Sequence, residues 1–258
     1  MTDLAVFLIN LDSSPDRLMA AQTALTAQNT TFSRVPGVDG RQTPPEHVDA
    51  YDAQAAEKYF GRALNGGEVG AYQSHLRALA AFVQSGAAYG LILEDDMDPD
   101  ARAMVLVQSI VTWQRGRLSD DWRVANLGAK RQKITSHLVT LDVDGTQIDV
   151  RRGHYFPMLA TALLWTRAGA HAFLGQHTKI DCPWDHATRR WLTETNMGLT
   201  VSPPLFLTTG ATSQIDPAKG ARGEDGRSRL YRWRRMKRNW GDRLRALRHK
   251  ARHNNRQP

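Results

Sequence analysis

Tyr89-Gly90-Leu91-Ile92-Leu93, followed without a break by Glu94-Asp95-Asp96, is the stretch that decides the fold. A short apolar run of this kind reads as a central buried strand. Three consecutive carboxylates cannot follow it into a core, so the strand must deliver them to its carboxyl end. Upstream, Val69, Tyr72, Leu76, Leu79 and Val83 form a helical stripe over 67–85, and Gly86 stands where a glycine cap belongs. A further helical stretch is expected at 45–59. Nearer the start, 4–11 is apolar enough for a buried strand, and Ser13-Ser14-Pro15 opens a helix over 15–28. A short strand at 32–35 then leads to the turn-rich 36–40. Downstream the pattern predicts a helix at 100–115, a strand at 122–127, a hairpin over 137–152 turning at Asp144-Gly145, and a strand at 160–166. Helices follow at 167–176 and 183–195, and Pro203-Pro204 closes the regular part. Strands separated by helices imply an α/β layer structure with a largely parallel sheet, to which the hairpin adds an antiparallel element. In such sheets ligands bind beyond the carboxyl ends of the strands, where Glu94-Asp95-Asp96 falls.

Composition agrees with a globular enzyme-sized chain: 258 residues, 41% apolar and 23% charged. No apolar run approaches the roughly 18 to 20 residues that cross a bilayer. The 4–11 run lacks the basic flank and small-residue cleavage site of a secretory leader, so a buried strand is the better reading. The single cysteine, Cys182, has no partner for a disulfide or zinc cluster, which suits a reducing, cytoplasmic setting.

The formal charge of +8 divides unevenly. Residues 219–258 hold fifteen Lys or Arg against three acids, which leaves 19 basic and 23 acidic residues in 1–218. Two parts are therefore expected, a mildly acidic body at 1–218 and a basic linker and tail at 219–258. In the tail Leu230, Trp233, Met236, Trp240, Leu244 and Leu247 recur at steps of three and four, an amphipathic, cationic, Trp-bearing helix. Segment 228–252 can lie on an anionic membrane surface, coat nucleic-acid phosphate, or pack its stripe onto the body. The two Trp favour lipid over phosphate alone.

Adjacent carboxylates at 94–96 repel one another, the more so as the local dielectric falls. A divalent cation relieves that repulsion, and hard oxygen ligands suit Mn²⁺ or Mg²⁺, which bind through one or two carboxylates plus substrate phosphates. The bland alternative is a solvated acidic loop start. Glu68 and His75, seven apart, share a helix direction to within about 20° and can face a cleft, although a lone His is more often a packing residue. Asp185, after Pro183 at a helix start with Arg189 four residues on, is explained equally by the helix dipole and by a role as general base.

Several separate segments resemble one family. Val6-Phe7-Leu8-Ile9-Asn10-Leu11-Asp12 with Arg17, Val38-Asp39-Gly40, Leu64-Asn65-Gly66-Gly67-Glu68-Val69-Gly70 leading to Ser74-His75-Leu76, and Leu91-Ile92-Leu93-Glu94-Asp95-Asp96 are similar in order and spacing to the family 25 glycosyltransferases. These include lipooligosaccharide and collagen galactosyltransferases. Pro183-Trp184-Asp185-His186 and Pro203-Pro204-Leu205 extend the likeness to about 1–216, while Thr208-Thr209 stands where many relatives carry a glutamine.

The resemblance implies a GT-A-like, Rossmann-like mixed sheet, a UDP-sugar donor, usually UDP-galactose, a divalent metal and inversion at the anomeric carbon. It makes Glu94, Asp95 and Asp96 the metal and donor motif, with Asp96 the first choice for direct coordination. Asn10 and Asp12 would receive base and ribose, Arg17 the phosphates, with Asp39, Glu68 and His75 as further donor contacts. Asp185 would be the general base, with Asp181 as its substitute. The expected activity is transfer of a hexose, galactose first, to a lipid-linked surface oligosaccharide. Two other classes remain open on residues alone: a nucleic-acid-binding protein working through its tail, and a magnesium-dependent phosphohydrolase.

Overall fold

The computed structural model describes residues 3–115, 122–210 and 231–255. The opening apolar run forms β1 (Leu4–Asn10), Pro15 starts α1 (Pro15–Thr26), and β2 (Ser33–Pro36) returns parallel to β1. A single 3₁₀ turn (Pro45–His47) and α2 (Ala53–Tyr59) precede α3 (Gly66–Ser85) and β3 (Tyr89–Glu94). Next come β4 (Met97–Pro99), α4 (Ala103–Arg115), β5 (Val124–Asn126), and the hairpin of β6 (Lys133–Val143) and β7 (Thr146–Tyr155). The chain continues through β8 (Ala162–Thr166), α5 (Arg167–Gln176), α6 (Trp184–Thr195), β9 (Gly198–Ser202), β10 (Phe206–Thr208) and α7 (Tyr231–Asn254).

Eight strands make one sheet in the order β2-β1-β3-β8-β5-β9-β7-β6. Alternation along the strands fills both faces. Phe7, Ile92, Leu163 and Trp165 point to the side covered by α3, α5 and α6, and Val6, Leu8, Leu91, Leu93 and Leu164 to the side covered by α1 and α4. The result is a three-layer, Rossmann-like, GT-A-like fold. From β1 the chain leaves toward β2 on one side, whereas from β3 it leaves toward β4 and the rest of the sheet. A crevice therefore opens at the carboxyl ends of these two paired strands, where Ile9 stands opposite Glu94.

Four expectations are corrected. The sheet is mixed, as the resemblance implies, and not largely parallel as the alternation of strands and helices suggests: β8 runs antiparallel to both neighbours, and β7 antiparallel to β9. The stretch 45–59 is not one helix. It breaks where Tyr51 bridges Ile180 and the Asp52 amide donates to the Ile180 carbonyl (3.0 Å), after which the Asp52 carboxylate caps α2 through the Ala55 amide (2.8 Å). The expected helix at 100–115 starts at Ala103, after a turn at 101–102 that follows β4, with the Asp100 amide held by the Leu205 carbonyl (2.8 Å). Finally, Pro203-Pro204 does not end the regular structure, since β10 pairs antiparallel with β4 in a small second sheet.

The tail expectation is met only in part. Leu230 and the linker 219–230 lie outside the described residues, while α7 is one long helix packed on α6 and the β6–β7 hairpin. It does not pack through its apolar stripe: Trp233, Met236, Trp240, Leu244 and Leu247 are all exposed. Among the described residues no helix is long and apolar enough to cross a membrane.

Candidate active site

The crevice is walled by the end of β1, the 38–41 loop, the first turns of α3 and the acidic turn after β3. Backbone-to-backbone contact sets its shape. A Cβ on Gly40 would lie 1.7 Å from the Gly66 carbonyl oxygen, and one on Gly70 would lie 2.6 Å from that of Val38. The loop therefore sits directly on α3, and Ser74, one turn beyond Gly70, locks it: the Val38 amide donates to Ser74 Oγ (2.8 Å), which donates to the Gly70 carbonyl (2.7 Å). Gly66, Gly70 and Ser74 are spaced by four on one helix face, and that spacing of small residues was the sequence mark of the approach.

Glu94, Asp95 and Asp96 diverge in environment. Asp95 is nearly buried, ion-paired with Arg17, and accepts from Asn10 Nδ2 (2.7 Å). Burial lifts its carboxyl, and Asn10 and Arg17 restrain the rise. Glu94 Oε1 lies 3.2 Å from His75 Nε2. Asp96 is pushed up to about 6 by burial, with Glu94 adding to it, and its Oδ1 is buried without a hydrogen-bond partner. Backbone support comes from the residue that follows β10: the Thr209 amide donates to the Asp96 carbonyl (2.9 Å).

Among the described residues, no three His, Cys, Asp or Glu side chains form a ready metal cage. Asp96 Oδ1 is nevertheless an orphaned acceptor, partly charged near neutral pH and costly to leave unpaired. A cation completed by diphosphate and water fits it, in keeping with the few carboxylates that Mg²⁺ and Mn²⁺ take.

The other expected residues sort into those in the crevice and those beside it. Asn10 lines it, but its amide is occupied by Ser14, Asp95 and Arg34. Arg17 lines it between Asp95 and Asp96, 3.8 Å from the latter. Asp39 lines it in a bidentate pair with Arg41 (2.7 and 2.6 Å), whose hydrogen bond holds the Asp39 carboxyl below its usual range. Asp12 is not brought in: its side chain is 79% exposed and paired with Arg34. Nor is Glu68, which closes the capping box of α3 and holds Arg62 through two bonds (2.8 and 2.6 Å). The sequence assigns no role to Arg34, Arg41 or Ser74, whose partners are 24, 2 and 36 residues away.

His75 is buried and links the acidic turn to α6. Its ring stacks on Trp184, centroids 4.5 Å apart and planes 8° from parallel. Trp184 is the first residue of α6, so the stack holds Asp185 near enough for the charge of Glu94 to act on it, although Asp185 is not among the residues lining the crevice. Burial pushes Asp185 up to about 6, Glu94 adds to the rise, and His75 and Arg189 oppose it. Arg189 directs its own hydrogen bonds to the Phe156 carbonyl (2.7 Å) and the Tyr155 hydroxyl (3.2 Å). Asp181 differs: burial opposes its ionisation, but two bonds from Arg190 (2.8 Å each) outweigh this and hold it below the usual carboxylate range. Cys182 is buried and its thiol pushed up, which makes a poor nucleophile.

A Rossmann-like sheet with a crevice at its switch point and an acidic turn on its central strand defines a GT-A-like protein. The chain belongs to glycosyltransferase family 25: the family profile described as "Glycosyltransferase family 25 (LPS biosynthesis protein)" matches residues 3–140. It is similar to a "Glycosyltransferase 25 family member" of Drosophila pseudoobscura pseudoobscura, 28% identical over 145 residues, which is 54% of this chain and 22% of that protein. It is likewise similar to "Procollagen galactosyltransferase 1" of Danio rerio, 28% identical over 137 residues, 50% of this chain and 22% of that protein. The match thus spans about a fifth of each relative. Asp181 and Asp185 fall beyond the part matched by the profile.

Proposed function

We propose that this chain transfers a hexose from a UDP-sugar to a hydroxyl of a lipid-linked oligosaccharide, with inversion at the anomeric carbon. The donor would lie across the crevice at the ends of β1 and β3. The observation that carries the reading is Asp96 Oδ1, buried and unpartnered at the mouth of a central strand in a family 25 chain. Galactose is the favoured sugar, supported by the name of the Danio rerio relative. The family description supports a lipopolysaccharide-type acceptor.

Asp96 would hold Mn²⁺ or Mg²⁺ together with diphosphate oxygens and water, and a bound ion supplies positive charge against the departing diphosphate. Arg17 orients Asp95 and adds a second cation beside the phosphates. The 38–41 loop, seated on the start of α3, shapes the nucleotide end. Asp185 takes the proton from the acceptor hydroxyl, and a carboxyl lifted to about 6 is matched to that task near neutral pH. Attack from the Asp185 side while UDP leaves from the opposite face gives inversion without a covalent intermediate. The imidazole of His75 keeps the base and the acidic cluster in fixed relation through its contacts with Glu94 and Trp184.

A thermal-shift screen of nucleotides and nucleotide sugars with and without Mn²⁺ tests the proposal. Stabilisation by a uracil nucleotide, above all others and only with metal, is expected. Equal shifts with every nucleotide, or none with metal, would overturn it.

A further inference from the structure

α7 touches the body along one side. Arg234 and Arg238 donate to the carbonyls of Glu57 (2.7 Å) and Tyr59 (2.6 Å), the Arg238 guanidinium lies 5.4 Å from the Phe60 ring centre, Ala246 is fully buried, and the His253 ring is 5.7 Å from that of His154. At about 100° per residue, these positions centre roughly opposite Trp233, Met236, Trp240, Leu244 and Leu247. The five apolar side chains are 45 to 60% exposed, side by side along one helix. An outward row of this size on a helix already anchored by its other face is an interaction surface rather than a misplaced core.

Charge identifies what it meets. α7 carries ten Lys or Arg and one acid, Asp242. Arg243 flanks the row on one edge, Lys237 and Arg248 on the other, all three exposed. Arg235 and Arg243, with Met236 and Trp240 between them, wall a shallow depression. A second copy of the helix would bring like charges together, and nucleic acid would meet the Arg and stack on the Trp but would leave Met236, Leu244 and Leu247 in water. An anionic bilayer takes both, phosphate headgroups beside the basic flanks and the acyl boundary under the row.

We propose that α7 is a lipid-docking element that lies in the headgroup layer of an anionic membrane with its Trp233-to-Leu247 row inserted. Arg238 rests on Phe60, whose ring lies 4.9 Å from that of His186, the neighbour of Asp185. Docking would therefore hold the amino terminus of α6 close to the lipid surface, where a lipid-borne hydroxyl is presented. That last consequence rests on the proposed function, whereas the docking itself does not.

The test is sedimentation of the full chain with vesicles of phosphatidylcholine alone or of three parts phosphatidylcholine to one part phosphatidylglycerol. Binding at least about tenfold tighter to the anionic vesicles is expected, with a blue shift of tryptophan fluorescence. W233S/W240S should weaken it at least about tenfold, and K237Q/R243Q/R248Q by about tenfold or more. Both variants should melt with the wild type, because the altered groups are exposed. Absence of vesicle binding would overturn the proposal. So would binding indifferent to the Trp pair yet abolished by duplex DNA, or a Trp-pair variant that changes only the oligomeric state. Because no donor is needed, a failure here leaves the nucleotide screen unaffected.

Discussion

Replacing Asp96 by Asn removes a charge that the folded chain holds at a cost. Burial, with Glu94 adding to it, moves the carboxyl midpoint from 3.8 to about 6, so the anion is disfavoured on folding by about 3 kcal/mol. Between those midpoints the folded chain keeps a proton that the unfolded chain has lost. Stability from this group is thus complete below the lower midpoint and drains away as pH rises through about 6. Asn has nearly the same shape and no charge. In chelator at about pH 7.5, Asp96→Asn should therefore raise the melting temperature, by roughly 6–10 °C if the whole cost is recovered and by less because the side chain is 23% exposed. At about pH 4 the gain should vanish, since the wild-type carboxyl is then largely protonated. Differential scanning calorimetry across that pH range reads both effects. Adding Mn²⁺ with UDP should reverse the order, stabilising the wild type and leaving the variant unmoved. A variant that melts at or below the wild type in chelator at the higher pH would refute the account of Asp96 as an anion disfavoured by burial.

Gly40→Ala should cost at least about 2 kcal/mol in urea unfolding, because its Cβ meets the Gly66 carbonyl at 1.7 Å and backbone cannot yield as a side chain does. Asp185→Asn should lower kcat about 10²–10⁴-fold with little change in the donor KM. It should also abolish the rising limb of the pH-rate profile, which in the wild type is expected to climb through about 6 as the base ionises. Asp181→Asn should do the converse, keeping most activity but costing about 2 kcal/mol or more, since Arg190 keeps at most one of its two bonds, to the amide oxygen, and loses its opposite charge.

Much of the scaffold could be read from local pattern. β1, β3, the stripe of α3, the Asp144-Gly145 hairpin turn with both φ positive, and Gly86 as a left-handed cap all follow from periodicity and turn chemistry within a few residues. The misses have non-local causes. β4 and β10 are three residues each, too short for a period to register, and exist because they pair with one another. The break at 48–52 is imposed by Ile180, over a hundred residues away. Glu68 and Asp12 carry the right chemistry for a ligand, but Arg62 and Arg34 took them, and partner choice among arginines has no sequence period. Spacing ties His75 to Glu68 on its own helix and leaves Asp185 apart on another. The ring of Trp184 that stacks on His75 and opens the helix of Asp185 leaves no local sign of that contact in the sequence.

That ring-on-ring contact has a practical corollary. The stretch that answers to the family profile ends at residue 140, and Trp184 lies beyond it, so the crevice residues and the candidate base meet across a flat, apolar seam between imidazole and indole. A seam without directional bonds asks only for a planar surface at the right height. Transplanting the segment after residue 140 from another family member should succeed wherever an aromatic residue opens the corresponding helix, and should give a folded but idle chimera wherever an aliphatic one does.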